Sequence, residues 1–343
     1  MDFIKDYTLL ELEEKLVELG FQKFRAKQIY KWLNEGVTSF EEMTNISKDM
    51  REKLSENFVL SYPTVEKVQV SKIDGTRKYL FKLQDGEMVE SVLMQYKHGN
   101  SICVSSQVGC KMGCKFCASG LLGLTRNLRP SEILDQVIFV QKESSLKISN
   151  IVLMGIGEPL DNYDNVLKFL RLVNDKDGLN IGHRHISLST CGVVDKIYKL
   201  MDEKLQITLS ISLHSPDDLS REKIMPINKK YNIDTLIKAC KDYFDKTGRR
   251  ISYEYTMIDG VSDSVEQAKL LVKRLKGKPC HVNLIPLNSV EESGLKTSSN
   301  TKINKFREVL EKNGISATVR RTLGPDIDAS CGQLRKREIG DNI

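Results

Sequence analysis

No apolar run in the chain approaches the ~20 residues that a helix needs to cross a bilayer, so a membrane-spanning protein is not expected. The opening residues Met1-Asp2-Phe3-Ile4-Lys5-Asp6 lack the basic-then-apolar order of a signal or transit peptide. A cytoplasmic protein is the expectation. Short-period repeats and low-complexity linkers are also missing, which excludes solenoids and disordered tethers. Histidine is scarce, at five residues, and His183, His185 and His281 fall in no metal-ligand spacing. Cysteines number eight, yet a cytosolic chain keeps its thiols reduced, so a structural disulfide framework is not expected.

What remains is a soluble globular composition, 40% hydrophobic and 29% charged. At 343 residues the chain exceeds a typical single domain but suits one barrel with a small appendage. Its net charge of +6 is uneven: residues 1–60 hold 9 Lys and Arg against 12 Asp and Glu, which leaves +9 on the remainder. Basic groups recur at His183-Arg184-His185, Lys229-Lys230, Arg249-Arg250, Arg320-Arg321 and Arg335-Lys336-Arg337. A polyanion such as RNA fits that excess, although charge runs are as often solvated faces.

The densest chemistry lies in Gly109-Cys110-Lys111-Met112-Gly113-Cys114-Lys115-Phe116-Cys117. The spacing C-x3-C-x2-C offers three thiolates where a closed metal site takes four. Iron–sulfur clusters use one cysteine per iron. A cubane on Cys110, Cys114 and Cys117 therefore leaves one iron open for a substrate. Zinc is the competing occupant, with Cys103, His98 or a distant cysteine as fourth ligand. No second C-x2-C or H-x3-H half is present, which favours the open cluster.

Three stretches of pattern organise the chain. Residues 1–60 form a small helical domain: Thr8-Leu9-Leu10-Glu11 is a capping box, and Leu9, Leu12, Leu16 and Leu19 follow at helical spacing until Gly20. Two more helices are predicted near 25–34 and 48–57. Residues 61–96 switch to period two (Val68/Val70, Tyr79/Phe81/Leu83, Val89/Ser91/Leu93), with turns at Asp74-Gly75 and Asp85-Gly86. They read as a short antiparallel extension. Residues 97–343 alternate strands near 101–104, 150–154, 185–189, 206–213, 251–257, 282–286 and 317–320 with helices between them. The fold class is α/β with a parallel sheet, doubly wound or closing toward a barrel.

In such sheets ligands gather at the carboxyl ends of the strands. There the chain places Gly155-Ile156-Gly157-Glu158-Pro159, Ser189-Thr190-Cys191-Gly192, Ser212-Leu213-His214 and Pro286-Leu287-Asn288. Four such segments in register predict a site rim.

With its cysteine triplet and Phe116 before the third cysteine, the chain resembles the radical S-adenosylmethionine (SAM) superfamily. Over its whole length it resembles the RlmN/Cfr family of RNA adenosine methyltransferases. The resemblance rests on Ser105-Ser106-Gln107-Val108-Gly109-Cys110, Gly155 to Leu160, Leu188-Ser189-Thr190, Ser212 to Pro216, Met225-Pro226-Ile227-Asn228 and Asp326 to Leu334. It implies a partial (β/α)6 barrel, a [4Fe–4S] cluster, and SAM used twice per turnover. It also implies RNA substrates, adenosine 2503 of 23S rRNA and adenosine 37 of certain tRNAs. A low-potential electron donor of the flavodoxin or ferredoxin type goes with it, and a monomer is expected.

The same resemblance assigns residues. Cys331 would carry a methyl group, Cys103 would release the product through a transient Cys103–Cys331 disulfide, and Glu90 would accept the proton of the base. Gly157, Glu158, Ser189, Ser212, Leu213, His214 and Asn288 would contact SAM. Without the resemblance, Cys103 in Ile102-Cys103-Val104 reads as a buried inert thiol. Glu90 likewise reads as a solvent-facing strand residue, and acidic Asp326 and Asp328 would if anything raise the Cys331 thiol. Methylation of carbon 8 instead of carbon 2, as in the Cfr branch, and a non-catalytic iron–sulfur or zinc RNA-binding protein are the competing functions. Pro159 after Glu158 favours the carbon-2 branch.

Overall fold

The structure is a computed structural model that describes residues 1–121, 123–288 and 294–327. Cys331 therefore lies outside the described residues, as does Asp328.

The N-terminal residues form the helices expected of them. A parallel pair, β1 (Asp2–Phe3) with β2 (Phe58–Val59), ties the first residues of the module to its last. Between them run α1 (Leu9–Glu18), α2 (Phe24–Asn34) and α3 (Lys48–Asn57). At the start of α1 the Thr8 hydroxyl accepts from the Glu11 amide while the Glu11 carboxylate accepts from the Thr8 amide, so two otherwise unpaired donors are satisfied. Leu12 and Leu16, one turn apart, then fall on the buried face. Inward, Lys5 makes a buried ion pair with Asp135, which docks this module on the core.

The antiparallel extension consists of β3 (Thr64–Val70), β4 (Arg77–Lys82) and β5 (Met88–Tyr96). It is continuous with the core, because β5 pairs antiparallel with β6 (Gly99–Cys103). A separate two-stranded ladder, β7 (Gln107–Gly109) with β8 (Leu124–Asn127), brackets the cysteine loop and the short α4 (Ala118–Leu121).

From there strands and helices alternate: α5 (Pro130–Ser144), β9 (Ile148–Leu153), α6 (Tyr163–Asn174), β10 (Ile186–Thr190), α7 (Val194–Asp202) and β11 (Thr208–Ser212). Next come α8 (Asp218–Ile224), α9 (Ile233–Thr247), β12 (Ile251–Met257), α10 (Val265–Leu275), β13 (Cys280–Pro286), α11 (Asn300–Lys312) and β14 (Ser316–Val319). One ten-stranded sheet results, in the order β14-β13-β12-β11-β10-β9-β6-β5-β4-β3. Every pairing from β6 to β14 is parallel, which requires the helical crossovers seen between strands. Six such β/α units are closed by β14, in line with the expected partial barrel.

Local chemistry explains these boundaries. The Asn232 side chain accepts from the Thr235 amide to open α9, and Gly248 ends it at φ +67°, a conformation glycine adopts without strain. In α7, Val194, Ile197, Leu200 and Met201 form one buried stripe against the sheet. Together the strand interiors and helix stripes make one large apolar core, and polar groups collect at the carboxyl ends of the strands.

Candidate active site

The cysteine loop is fixed by its own backbone. Gly109 has φ +77°, and a Cβ there would stand 1.9 Å from the Gly123 carbonyl oxygen, so only glycine fits. That carbonyl accepts the Cys110 amide at 2.7 Å, and the Cys114 carbonyl accepts the Cys117 amide at 3.1 Å. Cys110, Cys114 and Cys117 consequently line one cavity of about 240 Å³.

The rim predicted from the sequence closes the same cavity. Gly157, Glu158, Ser189, Ser212, His214 and Asn288 all line it. Leu213 does not: its side chain is fully buried, its amide donates to the Glu254 carbonyl and its own carbonyl accepts from Arg221. Gly157 sits at φ +110° with Gln107 so close that a Cβ would come within 2.8 Å of its amide nitrogen. The backbone there stays open to a ligand. Glu158 is 4% exposed, and its two oxygens accept the amides of Leu160 (3.0 Å) and Cys191 (2.7 Å). Burial raises the Glu158 carboxyl above its ordinary range, and these amides work against that rise.

His214 lies across the cavity at φ +57°. The Thr256 amide donates to its Nδ1 at 3.0 Å, and the Phe116 ring meets it edge-on at 4.6 Å. Burial pushes His214 down to about 3, with the Arg221 charge adding to the effect. The ring is neutral at pH 7 and, with Nδ1 accepting, carries its proton on Nε2.

The donor set suits an iron–sulfur cluster. All three cysteines are free thiols. Burial pushes Cys110 up to about 12 and lifts Cys114 well above the thiol range, and the proximity of Cys117 adds to both. Thiols held in this way give up protons only to a cation that replaces them. Among the described residues no three His, Cys, Asp or Glu side chains converge on a point that would hold one ion. A cubane asks for less convergence, because each thiolate binds a different iron. Of the zinc candidates, Cys103 is outside this cavity and His98 stacks on Tyr96. Cys191 does line it, with its amide bound to Glu158.

A second cavity of about 150 Å³ adjoins the first and shares Met154, Gly155, Asn288 and Arg320 with it. Cys103 and Glu90 line this one. Glu90 is 2% exposed and pairs with the wholly buried Lys78, so it is no solvent-facing strand residue. Burial pushes the Cys103 thiol up to about 11, partly offset by Arg320 and Lys78. Leu323, eight positions before Cys331 in the sequence, packs against the cluster that holds Cys103.

Three contributors escaped the sequence reading. Arg221 is 1% exposed and donates to the carbonyls of Cys191, Ser212 and Leu213 and to Asn228, which gives the Met225-Pro226-Ile227-Asn228 segment a physical role. Lys78 and Glu254 are likewise buried, the latter in the cavity wall and held by Asn283 and Ser252. Only Asn228 gave a signal for any of them, as part of a recognised segment.

Comparison with known proteins gives the family. Residues 104–272 match the radical SAM superfamily, and residues 4–60 match the ribosomal RNA large subunit methyltransferase N-terminal domain. A protein of Clostridium novyi (strain NT) named "Probable dual-specificity RNA methyltransferase RlmN" is 53% identical over 343 residues, all of both chains. One of the same name from Thermoanaerobacter sp. (strain X514) is 54% identical over 98% of each chain. The crystal structure of a radical SAM methyltransferase from Sphaerobacter thermophilus superposes with a TM-score of 0.92 at 42% identity, covering 97% of this chain and 99% of that one. The chain belongs to the RlmN family of radical SAM RNA methyltransferases.

Proposed function

We propose that the protein methylates carbon 2 of adenine in RNA, at adenosine 2503 of 23S rRNA and adenosine 37 of tRNA. The observation that carries this reading is the adjacency of the two cavities. The three-thiol cavity and the Cys103–Glu90 cavity share a wall, so a radical made in one need travel no further than the next. Carbon 2 is an electron-poor amidine carbon that cannot attack a SAM methyl group as a nucleophile, which is why such apparatus is needed.

Cys110, Cys114 and Cys117 would hold a [4Fe–4S] cluster, which when bound supplies the electron that cleaves SAM at its open iron. Gly157, Glu158, Ser189, Ser212, His214 and Asn288 would hold SAM, with the Glu158 carboxylate facing its ammonium group and the His214 Nε2–H available as donor. Cys331 would receive a methyl group from one SAM and, after hydrogen removal at the expense of a second, present it to the base. Glu90 would take the carbon-2 proton. Cys103 would then attack the Cys331 sulfur, forming a transient disulfide as the sulfur–carbon bond breaks. The seven described cysteines, Cys103 among them, are free, and this pairing would form only in passing within the catalytic cycle. Cytosolic thiols can reset it.

Arg320 and Arg321 line the second cavity and make no side-chain ion pair among the described residues, which leaves them for RNA phosphates. A low-potential flavodoxin or ferredoxin would supply the electron, and a cytoplasmic monomer fits a chain in which no described helix is long and apolar enough to cross a membrane. Anaerobic reduction of the reconstituted protein with SAM should yield 5′-deoxyadenosine and a methyl group on Cys331. Finding neither would favour a non-catalytic iron–sulfur or zinc RNA-binding protein.

A further inference from the structure

Ser105 and Gln136 meet behind the wall that the two cavities share. Both are wholly buried, and neither lines a cavity. Gln136 lies on α5, where Ile133 and Val137 beside it supply apolar packing. Its side-chain amide makes all four of its bonds. The oxygen accepts the Ser91 hydroxyl and the Ser105 amide, each at 2.8 Å. The nitrogen donates to the Ser105 carbonyl at 2.9 Å and to the Glu132 carbonyl at 3.1 Å. The Ser105 hydroxyl in turn donates to the Glu90 carbonyl at 2.7 Å and accepts the Ile156 amide at 3.0 Å.

These bonds gather three segments that carry chemistry. Glu90 and Ser91 of β5 line the second cavity. Ile156 sits between Gly155, which lines both cavities, and Gly157, which lines the first. Ser106 and Gln107 donate their amides to the Ile156 carbonyl, and the Gln107 side chain accepts the Glu158 amide at 2.8 Å. Cys110 follows three residues later. A Cβ on Gly155 would stand 2.5 Å from the Val104 carbonyl oxygen, so the shared wall rests directly on the residue before Ser105.

Apolar packing would fill this interior as well, but directional bonds hold it at one geometry. We propose that Gln136, acting through Ser105, is a positioning residue that fixes the site of radical formation relative to the site of methyl transfer. This role rests on the reaction given above, in which the two cavities work in sequence. The step it serves moves one hydrogen atom: a C–H bond of the Cys331-bound methyl group breaks, and a C–H bond forms in 5′-deoxyadenosine. With the sites in register, each 5′-deoxyadenosine corresponds to one methylated adenine. Out of register, SAM is still cleaved, but the hydrogen is taken from a thiol or the added reductant.

The test compares reconstituted holoenzyme carrying Gln136→Met, Ser105→Ala or Gln141→Leu with the parent protein. Gln141 is on the same helix, accepts the Ile148 amide and lines neither cavity, so Gln141→Leu controls for a general loss of stability. 5′-Deoxyadenosine and 2-methyladenosine are counted over one time course on an RNA fragment. Amide hydrogen exchange is followed in peptides covering 104–107 and 155–158. Gln136→Met should raise the ratio of 5′-deoxyadenosine to 2-methyladenosine roughly tenfold, as expected for reacting groups misplaced by a fraction of an ångström. It should also speed exchange in both peptides. Ser105→Ala should move both readouts the same way by less, and Gln141→Leu should keep the parental ratio. A parental ratio in Gln136→Met at any rate of turnover, or an equal rise in Gln141→Leu, would overturn the assignment. Should Gln136→Met fail to fold, Ser105→Ala decides: a raised ratio supports the role and a parental one contradicts it. Absence of methyl on Cys331 in the parent would instead sink the reaction on which the role depends.

Discussion

The Ser71 hydroxyl donates to the Asp326 carboxylate at 2.6 Å across 255 positions of sequence. The Lys72 amide donates to the other Asp326 oxygen at 2.8 Å, and Asp74 in the same loop accepts the Gly324 amide at 2.9 Å. The hairpin between β3 and β4 thus grips the segment that leads to Cys331. Asp326, a neighbour expected to raise the Cys331 thiol, has its charge taken up by this clamp.

Asp326→Ala should release the segment and slow methyl transfer by up to roughly 10²-fold, the cost of small misplacements of reacting groups. Asp326→Asn keeps an oxygen to accept the Lys72 amide and turns its NH2 toward the Ser71 hydroxyl, which can then accept, and it should restore much of the rate. Single-turnover transfer from preloaded Cys331 is the measurement. Equal rates in all three proteins would contradict a positioning role.

Arg221 joins the carboxyl ends of β10 and β11 through the carbonyls of Cys191, Ser212 and Leu213. Arg221→Leu leaves these buried acceptors unpaired, and unfolding by urea should show a loss of about 3 kcal/mol. A change under half that size would mean that water or another donor takes over.

RNA binding should report on Arg320 and Arg321. Each phosphate contact contributes about 0.7–0.9 to the slope of log affinity against log salt. Arg320→Gln and Arg321→Gln should each flatten that slope by close to one contact, measured by fluorescence anisotropy on protein without cofactors. An unchanged slope would place the phosphates elsewhere.

His214 gives stability a pH dependence of definite sign. Its folded pKa is depressed to about 3 from the ordinary 6.5. Between these values the unfolded chain takes a proton that the folded chain refuses, so stability falls as pH drops through the window. Above the ordinary value the group contributes no slope. Asp135, raised by burial to about 6, acts in the opposite direction over part of the range. The measurable quantity is therefore the difference between the parent and His214→Gln. That difference should favour the variant by about 1.4 kcal/mol for each pH unit below the ordinary histidine value. Parallel stability curves from pH 7 to 4 would contradict it.

Local patterns were legible where local chemistry decides. The strand at 251–257 and the helix at 48–57 fall where their periodicity put them, and the capping box at Thr8 opens α1. The rim at the strand ends was also legible, since a parallel sheet leaves few other places for Gly157, Ser189 or His214. Glu90 was harder. Alternation put Val89, Ser91 and Leu93 on one face and left Glu90 for solvent, but β5 is covered on both faces from Val89 to Met94. Lys78 and Arg221 were invisible because their partners are tertiary: a neighbouring strand in one case and three backbone carbonyls in the other.

The most direct test incubates the anaerobically reconstituted protein with SAM, a reductant and unmodified 23S rRNA or tRNA, then digests the RNA and identifies the modified nucleoside by mass spectrometry. The account predicts 2-methyladenosine in both RNAs, lost in Cys331→Ala and in Cys110→Ala. An 8-methyladenosine product, or 2-methyladenosine that persists without Cys331, would contradict it.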